Sequence, residues 1–187
     1  MMKKLSLPVA AMMSLGLSVT PARSENGARD LRADLKGFRE VPSVSTVAHG
    51  AFRARISHDG TAIEYRLNYQ GLEGTVTQAH IHFGQKDVNG GISVWLCETA
   101  TNASPVATTP TCADPAGDGP EASGTLTAAD VVGPGGQGIA ATEFAELVRA
   151  IRGGSAYANV HTSKFPGGEI RGQIQVDRDH EDDQHGH

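Results

Sequence analysis

Residues 51–70, AFRARISHDGTAIEYRLNYQ, alternate apolar and polar side chains on both sides of an Asp-Gly pair. Phe52 and Ile56 share one face of the first half, and Ile63 and Tyr65 share one face of the second. Successive side chains of a strand point to opposite faces, so each half presents one apolar face. Alternation that flanks Asp-Gly is the strongest short-range signal for a hairpin, and the stretch therefore predicts two antiparallel strands.

The same period-two alternation recurs outward from this hairpin along most of the chain. It predicts six further strands, around 31–35, 75–83, 91–96, 122–127, 156–162 and 169–176. Eight short strands with Gly-rich turns and few helices favour an antiparallel sandwich or barrel. The sequence therefore predicts an all-β fold.

A single helix interrupts this pattern, in the segment TEFAELVRAIRGG at residues 142–154. Its apolar residues recur at helical spacing, namely Phe144, Leu147, Val148 and Ile151. Thr142 is suited to cap the start, and Gly153-Gly154 to end the last turn. We expect this short helix to cover one end of the core.

The two ends of the chain are predicted to lie outside the fold. Lys3 and Lys4 precede an apolar run of 15 residues, and Ala22-Arg23-Ser24 follows it, which is the layout of a signal peptide over residues 1–24. The run is shorter than the roughly 20 residues that cross a bilayer. The prediction is an exported protein without a membrane span, periplasmic or secreted, with its domain at 25–176. The acidic, His-rich tail, 177–187, is predicted to be disordered.

Charge and cysteine content narrow the possible partners and the compartment. Loss of the signal segment would change the formal net charge from −5 to −8, which disfavours a nucleic acid partner. Cys97 and Cys112, the only cysteines, favour a disulfide in an exported protein. A redox-active pair is the alternative, but no motif supports it.

The segment QAHIHFGQ, residues 78–85, places His80 and His82 on one face of a strand, opposite Ala79 and Ile81. The apolar face supplies the core, so the two imidazoles are expected to face solvent or a cleft. His161 lies on the polar face of a later strand, and Glu169 and Arg171 on that of the next. If these strands are neighbours, three imidazoles, a carboxylate and a guanidinium meet, and His80, His82 and His161 form a metal site. The alternative is three exposed polar residues.

Four segments together resemble the CHRD domain, a family named from chordin and widespread in exported bacterial proteins. They are LKGFREVPSVSTVAHGAF at 35–52, AHIHFG at 79–84, NGGISVWL at 89–96 and AYANVHTSKFPGGEIRGQI at 156–174. The resemblance runs from about Leu35 to Val176. It implies an immunoglobulin-like, Greek-key antiparallel β-sandwich, but no settled activity.

The histidines also resemble, more weakly, the copper ligands of copper-zinc superoxide dismutases. His80 and His82 match the strand H-x-H of that family, His161 is similar to its last copper ligand, and Arg171 to the arginine that attracts the anionic substrate. The chain departs from the family because no histidine lies between 82 and 161, so a bridging imidazolate is impossible. The resemblance therefore implies a copper-only site, completed by His49, water, a carboxylate or a tail histidine.

Three functions remain open at this point. The first is an exported copper protein with dismutase-type chemistry, which needs the three histidines and Arg171 to guide superoxide or another small anion. The second is a metal-binding or storage module without turnover, and the third is a structural or partner-binding domain without metal. Imidazole ligands without a thiolate favour copper, with zinc or iron as alternatives. The tail histidines, 180, 185 and 187, are candidates for collecting metal weakly.

Overall fold

The structure is a computed structural model that describes residues 29–113 and 122–177. The predicted signal peptide, residues 1–24, lies outside the described residues, and so does the predicted tail apart from Asp177. The described part contains nine strands and one α-helix: β1 Asp30–Lys36, β2 His49–Ile56, β3 Ile63–Gln70, β4 Val76–Phe83, β5 Gly91–Cys97, β6 Ala122–Leu126, α1 Phe144–Arg152, β7 Ala156–Thr162, β8 Ile170–Gln173 and β9 Gln175–Val176.

The strands form one antiparallel sheet in the order β5-β4-β7-β8-β1-β2-β3-β6, with β9 paired to β1. The edge strands β5 and β6 also lie against each other, so the sheet closes almost completely around its core. The hairpin predicted at residues 51–70 is present, with Ile56 opposite Ile63 and Gly60 in the left-handed region of the turn. The predicted all-β, antiparallel sandwich is confirmed.

The prediction of eight strands is wrong by one, because the segment 169–176 is divided into β8 and β9. The backbone N–H of Ile174, between them, donates to the carbonyl of Ala156. Beyond this residue the chain no longer pairs with β7, and β9 pairs with β1, where Val176 faces Leu31.

Apolar side chains from every long strand meet inside the closed sheet. Phe52, Leu67, Ile81 and Val160 have no exposed surface there. The four helical positions predicted for α1 are buried against the same core, so the covering role of this helix is confirmed.

The predicted cap of α1 by Thr142 is wrong, although the predicted stop is right. The helix begins after Glu143, and no side-chain hydrogen bond caps it. Thr142 instead has a φ of 70°, and its backbone N–H donates to the carbonyl of Val131. At the other end the N–H of Gly153 donates to the carbonyl of Arg149, and Gly154 follows with a φ of 70°, a conformation that glycine adopts without strain.

The predicted disulfide joins Cys97, at the end of β5, to Cys112 in the following loop. None of the helices in the described residues has both the length and the apolar character needed to cross a membrane.

Candidate metal centre

The sheet brings the three predicted histidines together. Strands β4 and β7 are antiparallel neighbours, with His80 opposite Asn159 and Gln78 opposite His161. His80, His82 and His161 therefore project from the same outer face, away from the core. Each offers one ligand nitrogen such that all three nitrogens lie within 4.8 Å of one another. No other cluster of three potential metal ligands occurs within residues 29–113 and 122–177.

Open solvent, one of the two environments expected for these histidines, is not observed. Their exposed fractions are 0 % for His80, 8 % for His82 and 7 % for His161. Two loops contribute to the burial, because the Gly90 carbonyl lies 2.9 Å from His82 Nδ1 and the Pro166 carbonyl 2.9 Å from His161 Nδ1. The outer face of the sheet is thus buried locally, which strand alternation alone does not reveal.

The contacts with the Gly90 and Pro166 carbonyls determine which ring nitrogen of His82 and of His161 carries the proton. A carbonyl oxygen only accepts, so Nδ1 is the donor in His82 and in His161, and Nε2 carries the lone pair. His161 Nε2 lies 3.2 Å from His80 Nδ1, and His80 therefore donates to it. The Nε2 atoms of His80 and His82 are buried and have no hydrogen-bond partner. A lone pair left in this way is a ready metal ligand.

The spacing of the nitrogens suits a metal ion after small adjustments. Two ligands bound at ~2.0–2.1 Å with tetrahedral angles are ~3.3–3.4 Å apart. The widest pair in the cluster, within 4.8 Å, needs to close by only ~1–1.5 Å to reach the same spacing.

Burial keeps the three imidazoles neutral. Desolvation, with His161 and His82 as further contributors, lowers the pKa of His80 to about 2. Desolvation lowers the pKa of His82 to about 4, although its contact with the Gly90 carbonyl opposes the shift. The pKa of His161 is lowered by burial as well. At neutral pH all three therefore offer lone pairs rather than charged rings.

Two aromatic rings hold the histidines in place. Trp95, on β5, contacts His80 edge to face with 4.3 Å between ring centroids. Tyr157, on β7, stacks parallel to His82 at 4.8 Å. The Tyr157 hydroxyl also accepts a hydrogen bond of 3.1 Å from the Gly90 N–H, which ties the loop that contacts His82 to the same ring.

Arg171 lies behind Tyr157, not among the histidines. Its guanidinium carbon is 3.4 Å from the centre of the Tyr157 ring. The guanidinium thus covers one face of the Tyr157 ring and leaves no room there for the parallel His82 ring. His82 therefore stacks on the opposite face of Tyr157. The guanidinium donates to the Val88 carbonyl at 2.7 Å and to Asn89 Oδ1 at 3.1 Å. Arg171 thus supports the loop over His82 and places a positive charge one ring away from it.

Two other residues considered from the sequence lie apart from the cluster. Glu169 is fully buried, but its carboxylate accepts hydrogen bonds from Thr46 Oγ1 and Thr162 Oγ1, which assigns it to loop anchoring. His49 is exposed at the start of β2, and its Nε2 lies 2.7 Å from Nε2 of Gln70.

Sequence reasoning missed Glu40, a carboxyl group buried beside the same face. Its Oε1 accepts a hydrogen bond of 2.5 Å from Asn159 Nδ2. Burial raises the pKa of Glu40 to about 7, while the nearby positive charge of Arg171 opposes the rise. Glu40 follows a short 3-10 helix outside the sheet, so no strand alternation marked it.

Comparison with known proteins gives one result. The model of the CHRD domain matches residues 31–174, which is most of the chain. No curated protein and no solved structure matches the chain.

Proposed function

Because the chain belongs to the CHRD domain family, we propose that it is an exported CHRD protein that binds one metal ion, copper, through His80, His82 and His161. The observation that carries this proposal is the pair of buried, unpartnered nitrogens, Nε2 of His80 and of His82. Polar atoms that are buried without a partner are costly, and a metal ion would satisfy lone pairs that the protein leaves bare.

The donor set supports copper first, and zinc or iron second. Three neutral imidazoles without a thiolate suit copper and zinc, whereas iron would need an added carboxylate. The contacts of His82 with Gly90 and of His161 with Pro166 are the kind of outer hydrogen bonds that orient metal-binding imidazoles.

Export is supported by the disulfide between Cys97 and Cys112, since such bonds persist in oxidising compartments. The signal-like segment at residues 1–24 supports the same location. A periplasmic or secreted protein would meet Cu(II) rather than the reduced ion.

The chain carries its own reporter for this test. Trp95 is the only tryptophan, and its ring centroid lies 4.3 Å from that of His80. Copper bound to the histidines should therefore quench its fluorescence. The titration uses a background in which the tail histidines, 180, 185 and 187, are replaced by alanine. We expect one equivalent of Cu(II), nitrogen couplings in electron paramagnetic resonance, and quenching that saturates at the same ratio.

The decisive variant is His82→Gln, which keeps a polar side chain of similar reach but removes the imidazole. Binding and quenching should be lost, while the matched variant His49→Gln, at an exposed histidine outside the cluster, should behave like the parent. Unfolding in urea checks that His82→Gln is folded. If the parent binds no copper, zinc or iron, the proposal is wrong and the structural role is the better one.

Superoxide dismutation is the second candidate, favoured by three imidazoles that leave a coordination position open. Bound copper would supply one-electron chemistry, in which one superoxide is oxidised to O₂ and another, with two protons, is reduced to H₂O₂. Arg171 would contribute its positive charge from behind Tyr157, to draw in the anion. A superoxide assay on the copper-loaded protein, with His82→Gln as control, separates an enzyme from a storage module. Binding without turnover would leave storage as the function.

A further inference from the structure

A cavity of about 450 Å³ opens on the outer surface beside β1, β8 and β9. Its volume is within the ~300–1,000 Å³ of typical small-molecule sites. The charged residues that line it are four cations, Arg32, Arg39, Lys86 and Arg171, and two acids, Asp34 and Asp87. An excess of positive charge in one concavity is notable on a chain whose formal net charge is −5.

Two of the lining charges, those of Asp34 and Arg32, are already paired with residues that do not line the cavity. Asp34 Oδ1 accepts a hydrogen bond of 2.9 Å from Arg53, which is not part of the lining. Arg32 pairs with Asp177 at 3.1 Å. The remaining lining charges are three cations, Arg39, Lys86 and Arg171, against Asp87 alone, so the cavity keeps a net positive charge.

The two outer cations are available to a ligand. Arg39 donates to a backbone carbonyl, that of Asp34, rather than to a carboxylate. Lys86 is exposed and forms no ion pair with any residue in the described part of the chain. Both side chains can therefore turn their remaining N–H donors towards an anion.

The loop that carries Lys86 and Asp87 is held in position by Arg171 before any ligand binds. Arg171 is 2 % exposed and donates to the carbonyls of Gln85, at 3.4 Å, and Val88, at 2.7 Å. These two carbonyls flank Lys86 and Asp87 in the chain. Fixing the loop on both sides in this way lowers the conformational cost of binding.

We propose that this cavity is a binding site for a small organic dianion, such as a dicarboxylate or a phosphate monoester. Arg39 and Lys86 would contact its negative oxygens, and the buried charge of Arg171 would contribute from the floor. Guanidinium groups suit the paired oxygens of carboxylates and phosphates. Phe38, of which 71 % is exposed at the rim, offers an apolar surface for the carbon part of the ligand.

This site is distinct from the histidine cluster, because Tyr157 separates Arg171 from His82. Dianion binding does not require a bound metal. Failure of one proposal therefore leaves the other intact.

The test is calorimetric titration of the full, metal-free chain with succinate and with inorganic phosphate at constant ionic strength. We expect a Kd of about 1 mM or tighter for at least one of the two anions. The double variant Arg39→Gln/Lys86→Gln should weaken binding at least about tenfold, since each replacement removes a charge-assisted hydrogen bond. The matched double variant Arg149→Gln/Lys164→Gln also removes one arginine and one lysine charge, at exposed side chains that do not line the cavity, and should bind like the parent.

Three results would overturn the proposal. The first is no heat of binding with either anion. The second is equal affinity in the parent and in Arg39→Gln/Lys86→Gln. The third is an equal loss of affinity in Arg149→Gln/Lys164→Gln, which would mean that overall charge, not the cavity, attracts the anion.

Discussion

The two faces of β4 are both buried, but they are buried with opposite chemistry. The inner face presents Ala79 and Ile81, which have no exposed surface and pack in the apolar core. The outer face presents His80 and His82, which are also buried, with one nitrogen each left unpartnered. Burial of the inner face stabilises the fold directly, whereas burial of the outer face has a cost that a ligand would offset. In one strand, residues of the apolar core and residues of the candidate metal site thus alternate.

The largest expected effect is on the inner face. Ile81→Ala removes a fully buried side chain beside the histidines, and we expect it to lower the free energy of unfolding by ~2–5 kcal/mol. His82→Gln, one residue away but on the outer face, should change the metal-free protein much less. Urea unfolding of both variants measures the difference. Equal losses would mean that the two faces contribute to the fold in the same way.

Metal loading should stabilise the protein through the outer face alone. A ligand that binds only the folded state, at a free concentration 100 times its Kd, raises the free energy of unfolding by ~2.7 kcal/mol. We expect this gain with copper in the parent and in Ile81→Ala, but not in His82→Gln. Thermal unfolding with and without copper provides the measurement. A gain that survives His82→Gln would place the metal elsewhere.

The pH dependence of stability should separate the buried histidines from the buried glutamate. Unfolded His82 takes up a proton near pH 6.5 but folded His82 only near pH 4, so a falling pH favours unfolding. Glu40 acts in the opposite direction, because its carboxyl is protonated below about pH 7 when folded and only below 4.5 when unfolded. We expect metal-free Glu40→Gln to lose ~2 kcal/mol more than the parent between pH 6.5 and 5.

Urea unfolding at several pH values, in the absence of metal, measures both profiles. The quantity to compare is the slope of the unfolding free energy against pH, not its absolute value in either protein. Parallel slopes for Glu40→Gln and the parent would contradict a raised pKa for Glu40. A parent whose stability is the same at pH 5 and pH 6.5 is compatible with the two effects offsetting each other, and Glu40→Gln then exposes the contribution of the histidines.

Much of the fold was predictable because strand alternation reports on side-chain direction. The residues of 51–70 specified a hairpin, and the faces of β4 and β7 were assigned correctly around His80 and His161. Alternation gives the direction of a side chain but not what covers it. The loops that bring Gly90 and Pro166 over the histidines carry no periodic signal, so their burial was unpredictable.

The position of Arg171 illustrates the same limit at longer range. Its face on the sheet followed from alternation, but its contact with Tyr157 depends on the pairing of β7 with β8, where Asn159 faces Arg171. Glu40 lies outside any strand and was missed entirely. A polar residue that follows a single 3-10 turn has no periodicity, so only the folded structure shows that Asn159 reaches it.

A smaller effect is expected from the loop that orients His82. At Gly90 an added Cβ would overlap the carbonyl oxygen of Phe83, so Gly90→Ala must displace the loop backbone. Its carbonyl would then no longer hold His82 Nδ1, and we expect copper affinity to fall ~10–100-fold, as for other losses of an outer hydrogen bond. Gly136→Ala, where nothing lies within 4 Å of the added atom, is the matched control. Unchanged affinity in Gly90→Ala would show that the carbonyl does not orient the ring.

The smallest effects are expected from removing either of two tyrosine hydroxyls, one on each side of the sheet. Tyr65 donates to the Leu96 carbonyl at 2.6 Å inside the core, whereas the Tyr157 hydroxyl accepts from the Gly90 N–H on the outer face. Tyr65→Phe should lower the free energy of unfolding by ~1 kcal/mol and leave copper binding unchanged. Tyr157→Phe keeps the stacking on His82, so it should weaken copper binding by only a few-fold, ~1 kcal/mol, through the loop. Urea unfolding and Trp95 quenching measure the two quantities, and the reverse pattern would contradict the division of roles between the faces.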